Sequence, residues 1–186
     1  MKKILLLLLC LVLGMSACTN SSSPPNEKEV KNFVGEGKKT VLHTLITSNG
    51  FLVNNVFVFS HLPVDESKKI TNENGTFAPV VSDRIKTYSQ LESLVLSTYT
   101  EDVAFKLLNE PKKYTEIDGT LYFDMQYSSE TEPNYVWTVH EIESEGIADE
   151  KYLFTVTVEN SKGRNKKIEV EAIDVDGYLK LCAFYS

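Results

Sequence analysis

Between Leu121 and Tyr185, apolar side chains occupy every second position in five separate runs, and no other feature constrains the chain as much. Leu121, Phe123, Met125 and Tyr127 alternate with Tyr122, Asp124 and Gln126. Tyr135, Trp137 and Val139 alternate with Thr138 and His140. Tyr152, Phe154, Val156 and Val158 alternate with Thr155 and Thr157. Ile168, Val170 and Ala172 alternate with Glu169 and Glu171. Leu179, Leu181, Ala183 and Tyr185 complete the series. Successive side chains of a strand point to opposite faces, so this period describes strands with one buried and one wet face. Such strands belong to antiparallel sheets. Asp118-Gly119 and Asp176-Gly177 are tight-turn pairs. Consecutive strands on short connections pair as neighbours. The pattern predicts a strongly twisted, five-stranded antiparallel meander, with Leu121 and Phe123 facing the core and Tyr122 and Asp124 facing away.

The first half carries a helical period. Glu27 to Phe33 reads as an opening helix. From Lys39 to Phe59, Leu42, Leu45, Ile46, Asn49, Leu52, Val53 and Val56 recur at helical spacing. Asn49-Gly50 between Val41-Leu42 and Phe51-Leu52-Val53 also resembles a hairpin turn. The helix is preferred because the apolar stripe runs through that pair. Leu62-Pro63 ends the element. Asn72 to Thr76 is a polar turn. Ser89-Gln90-Leu91-Glu92 reads as a capping box opening a helix whose face is Leu91, Leu94, Val95 and Thr98. Thr100 caps a second, with Glu101 and Asp102 in its first turn, Val103, Ala104, Leu107 and Leu108 on its apolar side, and Pro111 closing it. The predicted class is α+β, with N-terminal helices packed on the C-terminal five-stranded meander.

Met1-Lys2-Lys3, an apolar run from Ile4 to Leu13, and Gly14-Met15-Ser16-Ala17-Cys18 have the order of a secretory signal. The run is shorter than the roughly 20 residues a membrane-spanning helix needs. Met-Ser-Ala-Cys resembles a bacterial lipobox, which predicts cleavage after residue 17 and lipid on Cys18. The expected organisation is a lipoprotein signal peptide over 1–17, lipidated Cys18 and a flexible tether over 18–26, and a single α+β domain over 27–186. Thr19 to Asn26, with Pro24-Pro25, is the tether. Losing Lys2 and Lys3 changes the net charge from −7 to −9, so the acyl chains must supply the anchoring to an anionic leaflet. The expected location is extracytoplasmic, on the outer face of the cell membrane. With Cys10 in the signal and Cys18 lipidated, Cys182 is the one remaining thiol, expected as a small buried hydrophobe.

Acidity argues against nucleic acid as a partner, since phosphate-binding surfaces are basic. His43, His61 and His140 have no partners at metal-ligand spacing. Neither a phosphate loop nor a nucleophile elbow occurs. Asp174-Val175-Asp176-Gly177 starts like a calcium loop without its later ligands, and a hairpin explains it. No catalytic residue, metal or cofactor is expected. Glu141, Glu143, Glu145, Asp149 and Glu150 flank Gly146. They form either a solvated hairpin loop or an acidic finger that docks a basic groove. Glu143, Glu145, Asp149 and Glu150 are the candidate partner-binding residues.

The block FAPVVSDRIKTYSQLESLVLSTYTEDVAFKLLNEPKKYTEIDGTLYF, Phe77 to Phe123, resembles the Gram-positive cell-wall DL-endopeptidase inhibitor (IseA-type) family and its lipoprotein relatives. The resemblance rests on an aromatic-containing strand before the helix start Ile85-Lys86-Thr87, on Leu91-Glu92, on Tyr99 to Asp102 leading to Leu107-Leu108, and on Ile117 to Tyr122. Leu62-Pro63-Val64-Asp65 fits the segment ending the first helix. Asp124-Met125-Gln126-Tyr127 stands where relatives often carry an Asp-Arg-Gly-like stretch. The resemblance implies a non-enzymatic inhibitor of NlpC-type cysteine peptidases, with a cell-wall cysteine endopeptidase as partner. The alternative is an envelope ligand- or substrate-binding module on a cystatin-like or NTF2-like sheet, with Trp137, Tyr135 and Tyr152 lining a pocket. A wide cavity between helices and sheet favours the second reading, and a filled core with a projecting acidic loop the first.

Overall fold

Helix α1, Glu36–Leu52, opens the part of the chain that a computed structural model describes: residues 36–186, except 130 and 134. The predicted signal peptide, Cys18, the tether and the Glu27–Phe33 helix lie outside the described residues. In α1 the stripe Leu42, Leu45, Ile46, Asn49 and Leu52 is buried, as helical spacing requires. The helix runs through Asn49-Gly50, so the hairpin alternative is not formed. A Cβ on Gly50 would lie 2.4 Å from Trp137 Cβ and 2.6 Å from Trp137 Cγ. This glycine is where a strand backs directly onto the helix.

The helix then widens into a π turn, Val53–Phe57, in which Val58 N donates to Val53 O at 3.1 Å. Its last carbonyls find side-chain donors from far along the chain. Tyr114 Oη donates to Val56 O at 3.0 Å and Lys113 Nζ to Phe57 O at 2.6 Å. A cation at a helix C-terminus also meets the negative end of the dipole. Burial holds the Lys113 ammonium below the usual lysine range. Lys180 repeats the device on α2, Tyr88–Thr98, donating to Leu96 O at 2.7 Å.

Helix α2 is capped by Thr87, whose hydroxyl accepts from Gln90 N at 3.2 Å, and not by Ser89. Gln90 Oε1 accepts from Lys86 N at 2.7 Å, one residue before the cap, so a box-like pair of bonds closes the helix start two residues ahead of the predicted one. Leu91, Val95 and Thr98 are buried as expected. Thr100 is the N-cap of α3, Glu101–Asn109, but its hydroxyl donates to the Asp102 carboxylate at 2.6 Å instead of serving the backbone.

Among the described residues the strands form two antiparallel sheets of four, not one meander of five. The first contains β1 (Ile70–Asn72), β2 (Gly75–Pro79), β3 (Tyr114–Ile117) and β4 (Thr120–Asp124), in the order β1-β2-β4-β3. The second is a meander of β5 (Tyr135–Ala148), β6 (Lys151–Asn160), β7 (Asn165–Val175) and β8 (Tyr178–Leu181). The Leu121 run therefore belongs to a different sheet from the four runs that follow it. The predicted turns at Asp118-Gly119 and Asp176-Gly177 join β3 to β4 and β7 to β8. Helix α1 packs on β5 and β8. One apolar cluster, from Leu42 and Phe123 to Phe154 and Leu181, joins the helices with both sheets.

Asp124 explains why the first run stops. It is buried, 6% exposed, where alternation predicts an outward side chain. Its carboxylate accepts from Gln126 N at 3.1 Å and Gln126 Nε2 at 2.6 Å, capping a 3-10 turn over Met125–Tyr127 that ends β4. Asp124→Ala is expected to cost about 1–3 kcal/mol through those lost bonds. Phe123→Ala, losing a fully buried ring, should cost about 3–5 kcal/mol. Urea midpoints of the two variants measure both, and a neutral Asp124→Ala would show that the cap does not hold the turn.

Candidate functional site

Strand β5 decides where the acidic residues go. Its pairing with β6 slips between Tyr135 and Val139, between Val139 and Glu141, and between Ser144 and Gly146. The first slip adds two residues and keeps the phase of the strand, whereas the second and third add one residue each and shift it. Tyr135, Trp137 and Val139 point inward before the second slip, and Ile142, opposite Val156, after it. Glu141 and Glu143 are thereby placed opposite Thr157 and Thr155. The segment around Gly146 is strand, and the reversal comes later, at Asp149-Glu150.

Beside Glu143, across β6, stands Glu169 of β7. Glu145, Glu169 and Glu171 rim a cleft of about 440 Å³ on the sheet surface, with Leu153 and Thr155 between them. Two lysines answer part of this charge. Lys167 Nζ lies 3.0 Å from Glu143 Oε1, and Lys151 Nζ lies 2.7 Å from Glu171 Oε2. Hydrogen bonding to Glu143, with the fields of Glu141 and Glu145 behind it, raises Lys167 above the ordinary lysine value. Glu145 and Glu169 have no ion-pair partner among the described residues. The result is a face with surplus carboxylate on both sides of Leu153 and Thr155, suited to a lysine or arginine presented by a partner.

Of the four predicted residues, Glu143 and Glu145 lie on this face. Asp149 and Glu150 form the turn at its end, both exposed, with φ of 50° and 65°. The other two Asp-led hairpins carry glycine at the second position, Gly119 and Gly177. Glu150 holds a left-handed backbone where glycine is the relaxed choice, a strain of the order of 1 kcal/mol or more. Glu169 and Glu171 were not singled out from the sequence. Their alternation with Ile168, Val170 and Ala172 puts them outward, but neighbourhood to Glu143 depends on sheet order.

The remaining candidates are dispersed. Cys182 is half-buried, and burial pushes its thiol up, away from nucleophilic character. His43 is exposed beside β5, His61 stacks on Phe123 at 4.3 Å, and His140 lies 3.4 Å from Glu159. Among the described residues no group of three His, Cys, Asp or Glu could hold a metal ion. Among the same residues no helix is long and apolar enough to cross a membrane. Tyr135 packs edge-on to Trp137 at 5.7 Å, whereas Tyr152 stacks on Phe154 beneath the Lys38 ammonium. Tyr152 thus packs on a different neighbour from the Tyr135–Trp137 pair. No protein-family model matches this chain, and no curated protein matches it.

Proposed function

We propose that the chain is a lipid-anchored extracytoplasmic protein that inhibits a cell-wall cysteine endopeptidase of the NlpC type by binding it, without chemistry of its own. The observation that carries this reading is the carboxylate face of β5, β6 and β7, with Glu145 and Glu169 outside any ion pair among the described residues and Leu153 and Thr155 between them. An inhibitor needs a rigid surface complementary to its target, and charge complementarity speeds the encounter. The strained Glu150 at the end of that face fits a position kept for contact rather than for stability. The signal-like start and Cys18 supply the anchor, and the resemblance over Phe77 to Phe123 supplies the class of target.

Full-length Cys18→Ser protein tests anchor and activity together. It is expected to move from the membrane fraction to the soluble fraction while still inhibiting the purified peptidase. Adding Glu145→Gln and Glu169→Gln should slow association about tenfold at low salt and flatten its salt dependence. Asp149→Asn with Glu150→Gln tests the turn separately. Membrane retention of the Cys18→Ser protein would refute the anchor. Absence of inhibition at high micromolar protein would refute the target, and inhibition indifferent to all four changes would refute the face.

A further inference from the structure

Away from that face, α1 and α2 enclose a second cleft of about 410 Å³. Thr47, Ser48 and Phe51 line it from α1, Gln90 and Leu94 from α2, and Arg84 and Ile85 close it from the loop before α2. Phe51, Ile85 and Leu94 give it an apolar wall. No carboxylate lines it, in a chain whose net charge is −7.

Its polar groups are donors in excess. The Arg84 guanidinium lies 5.5 Å from the Phe51 ring centroid and has no carboxylate partner among the described residues. An arginine resting on an aromatic face is held in place with its donor edge still available. Gln90 has its orientation set by the backbone, because Oε1 must face Lys86 N. Its NH2 therefore remains as a donor, with no acceptor among the described residues. The Ser48 hydroxyl likewise has no partner among them. A cation and two neutral donors beside an apolar wall match a carboxylate attached to an aliphatic group.

We propose that this cleft binds the C-terminal residue of a peptide, its carboxylate on Arg84 and its apolar side chain against Phe51, Ile85 and Leu94. A peptide is favoured over a fatty acid because Ser48 and Gln90 offer donors beyond those a single carboxylate on Arg84 requires, suiting the preceding peptide carbonyl. The site shares no residue with the carboxylate face, so its fate is independent of the inhibitor reading.

The probes are N-acetyl-Ala-Ala-Leu as the free acid, the same peptide as C-terminal amide, and decanoate. Each is titrated into the full chain and followed by backbone amide shifts and calorimetry. The free acid is expected to give saturable shifts confined to residues 47–51 and 84–94, with the amide at least tenfold weaker. Arg84→Gln should weaken the free acid at least tenfold at unchanged melting temperature, and Arg84→Lys should recover part of the loss. Ser48→Ala provides a second, milder reading of the same site. No saturable shift by about 10 mM, in the weakest affinity range worth measuring, would overturn the proposal. So would equal binding of acid and amide, or indifference to Arg84→Gln. Binding of decanoate in preference to the peptide would overturn the peptide assignment.

Discussion

Gly50→Ala is expected to destabilise the domain by about 3 kcal/mol, although alanine is the better helix former by about 1 kcal/mol. The two effects have opposite signs, so the sign of the result decides which one governs. The new methyl would sit 2.4 Å from Trp137 Cβ and 2.6 Å from Cγ, inside any real carbon–carbon contact. Neither partner can yield cheaply. Trp137 Cβ is bonded to the backbone of β5, and Trp137 itself is held at φ 60° within an irregular stretch of that strand. Its ring is buried against the core, 5% exposed. A double-mutant cycle with Trp137→Gly isolates the contact. Glycine removes the opposing Cβ and suits the positive φ, at the cost of a buried ring, about 3–5 kcal/mol. In that background Gly50→Ala should cost little or gain, leaving a coupling of about 3 kcal/mol. Urea unfolding of the four proteins gives the number. A stabilised Gly50→Ala single variant would mean that α1 and β5 do not approach this closely.

The same pair of residues shows what the sequence can and cannot convey. Asn49-Gly50 is a turn signal by local chemistry, yet both residues serve distant partners. Gly50 admits Trp137. Asn49 is fully buried and reads the end of the chain, donating to Tyr185 O at 2.8 Å and accepting from Tyr185 N at 3.1 Å. It also accepts from Tyr99 Oη at 2.8 Å. The apolar stripe was legible because it needs only helical period. The reason for an Asn and a Gly within it was not, because their partners lie 50 to 136 residues away.

The sheets divide in the same way. Alternation marked β4 to β8, and two Asp-Gly pairs marked their turns correctly. The split into two sheets depends on β2, a short segment whose Phe77 pairs with Asp124. No local pattern announces a contact of that range. The carboxylate face was half legible. Glu143 and Glu145 drew notice as a cluster, but the slips in β5 hid that they belong to a strand. Glu169 joins them only through the order of strands in the sheet, which periodicity does not encode.

Raising the pH above about 10 should unfold the domain, driven by two phenols that burial holds neutral. Tyr99 and Tyr114 are 1% and 2% exposed, and desolvation raises both well beyond the ordinary tyrosine value. Their hydroxyls are also committed as donors, Tyr99 to Asn49 Oδ1 and Tyr114 to Val56 O. A phenolate would face an oxygen in each place. The folded pKa lies above the unfolded one, so the stabilisation is complete below the unfolded value and is lost as pH rises towards the folded value. Over that window each phenol contributes a slope of about 1.4 kcal/mol per pH unit, or about 2.7 for the pair. Tyr185, raised to about 12 and more exposed, adds a smaller share in the same direction. Lys38, Lys151 and Lys167 are raised by their partners and also add to the loss, but at exposed, screened positions. Lys113 and Lys180 are lowered by burial and oppose it only up to the unfolded lysine value, about 10.4. Against a typical total of about 5–15 kcal/mol, the net slope leads to unfolding within a few pH units. Absorbance at about 295 nm should rise in two stages, exposed tyrosines first and the buried ones together with loss of the circular dichroism signal. Tyr99→Phe should lower the slope by about half of the pair's contribution. A smooth, single-stage ionisation of all nine tyrosines with the fold intact would show that Tyr99 and Tyr114 are reached by water, and that the core joining α1, β3 and the C-terminal segment is not closed.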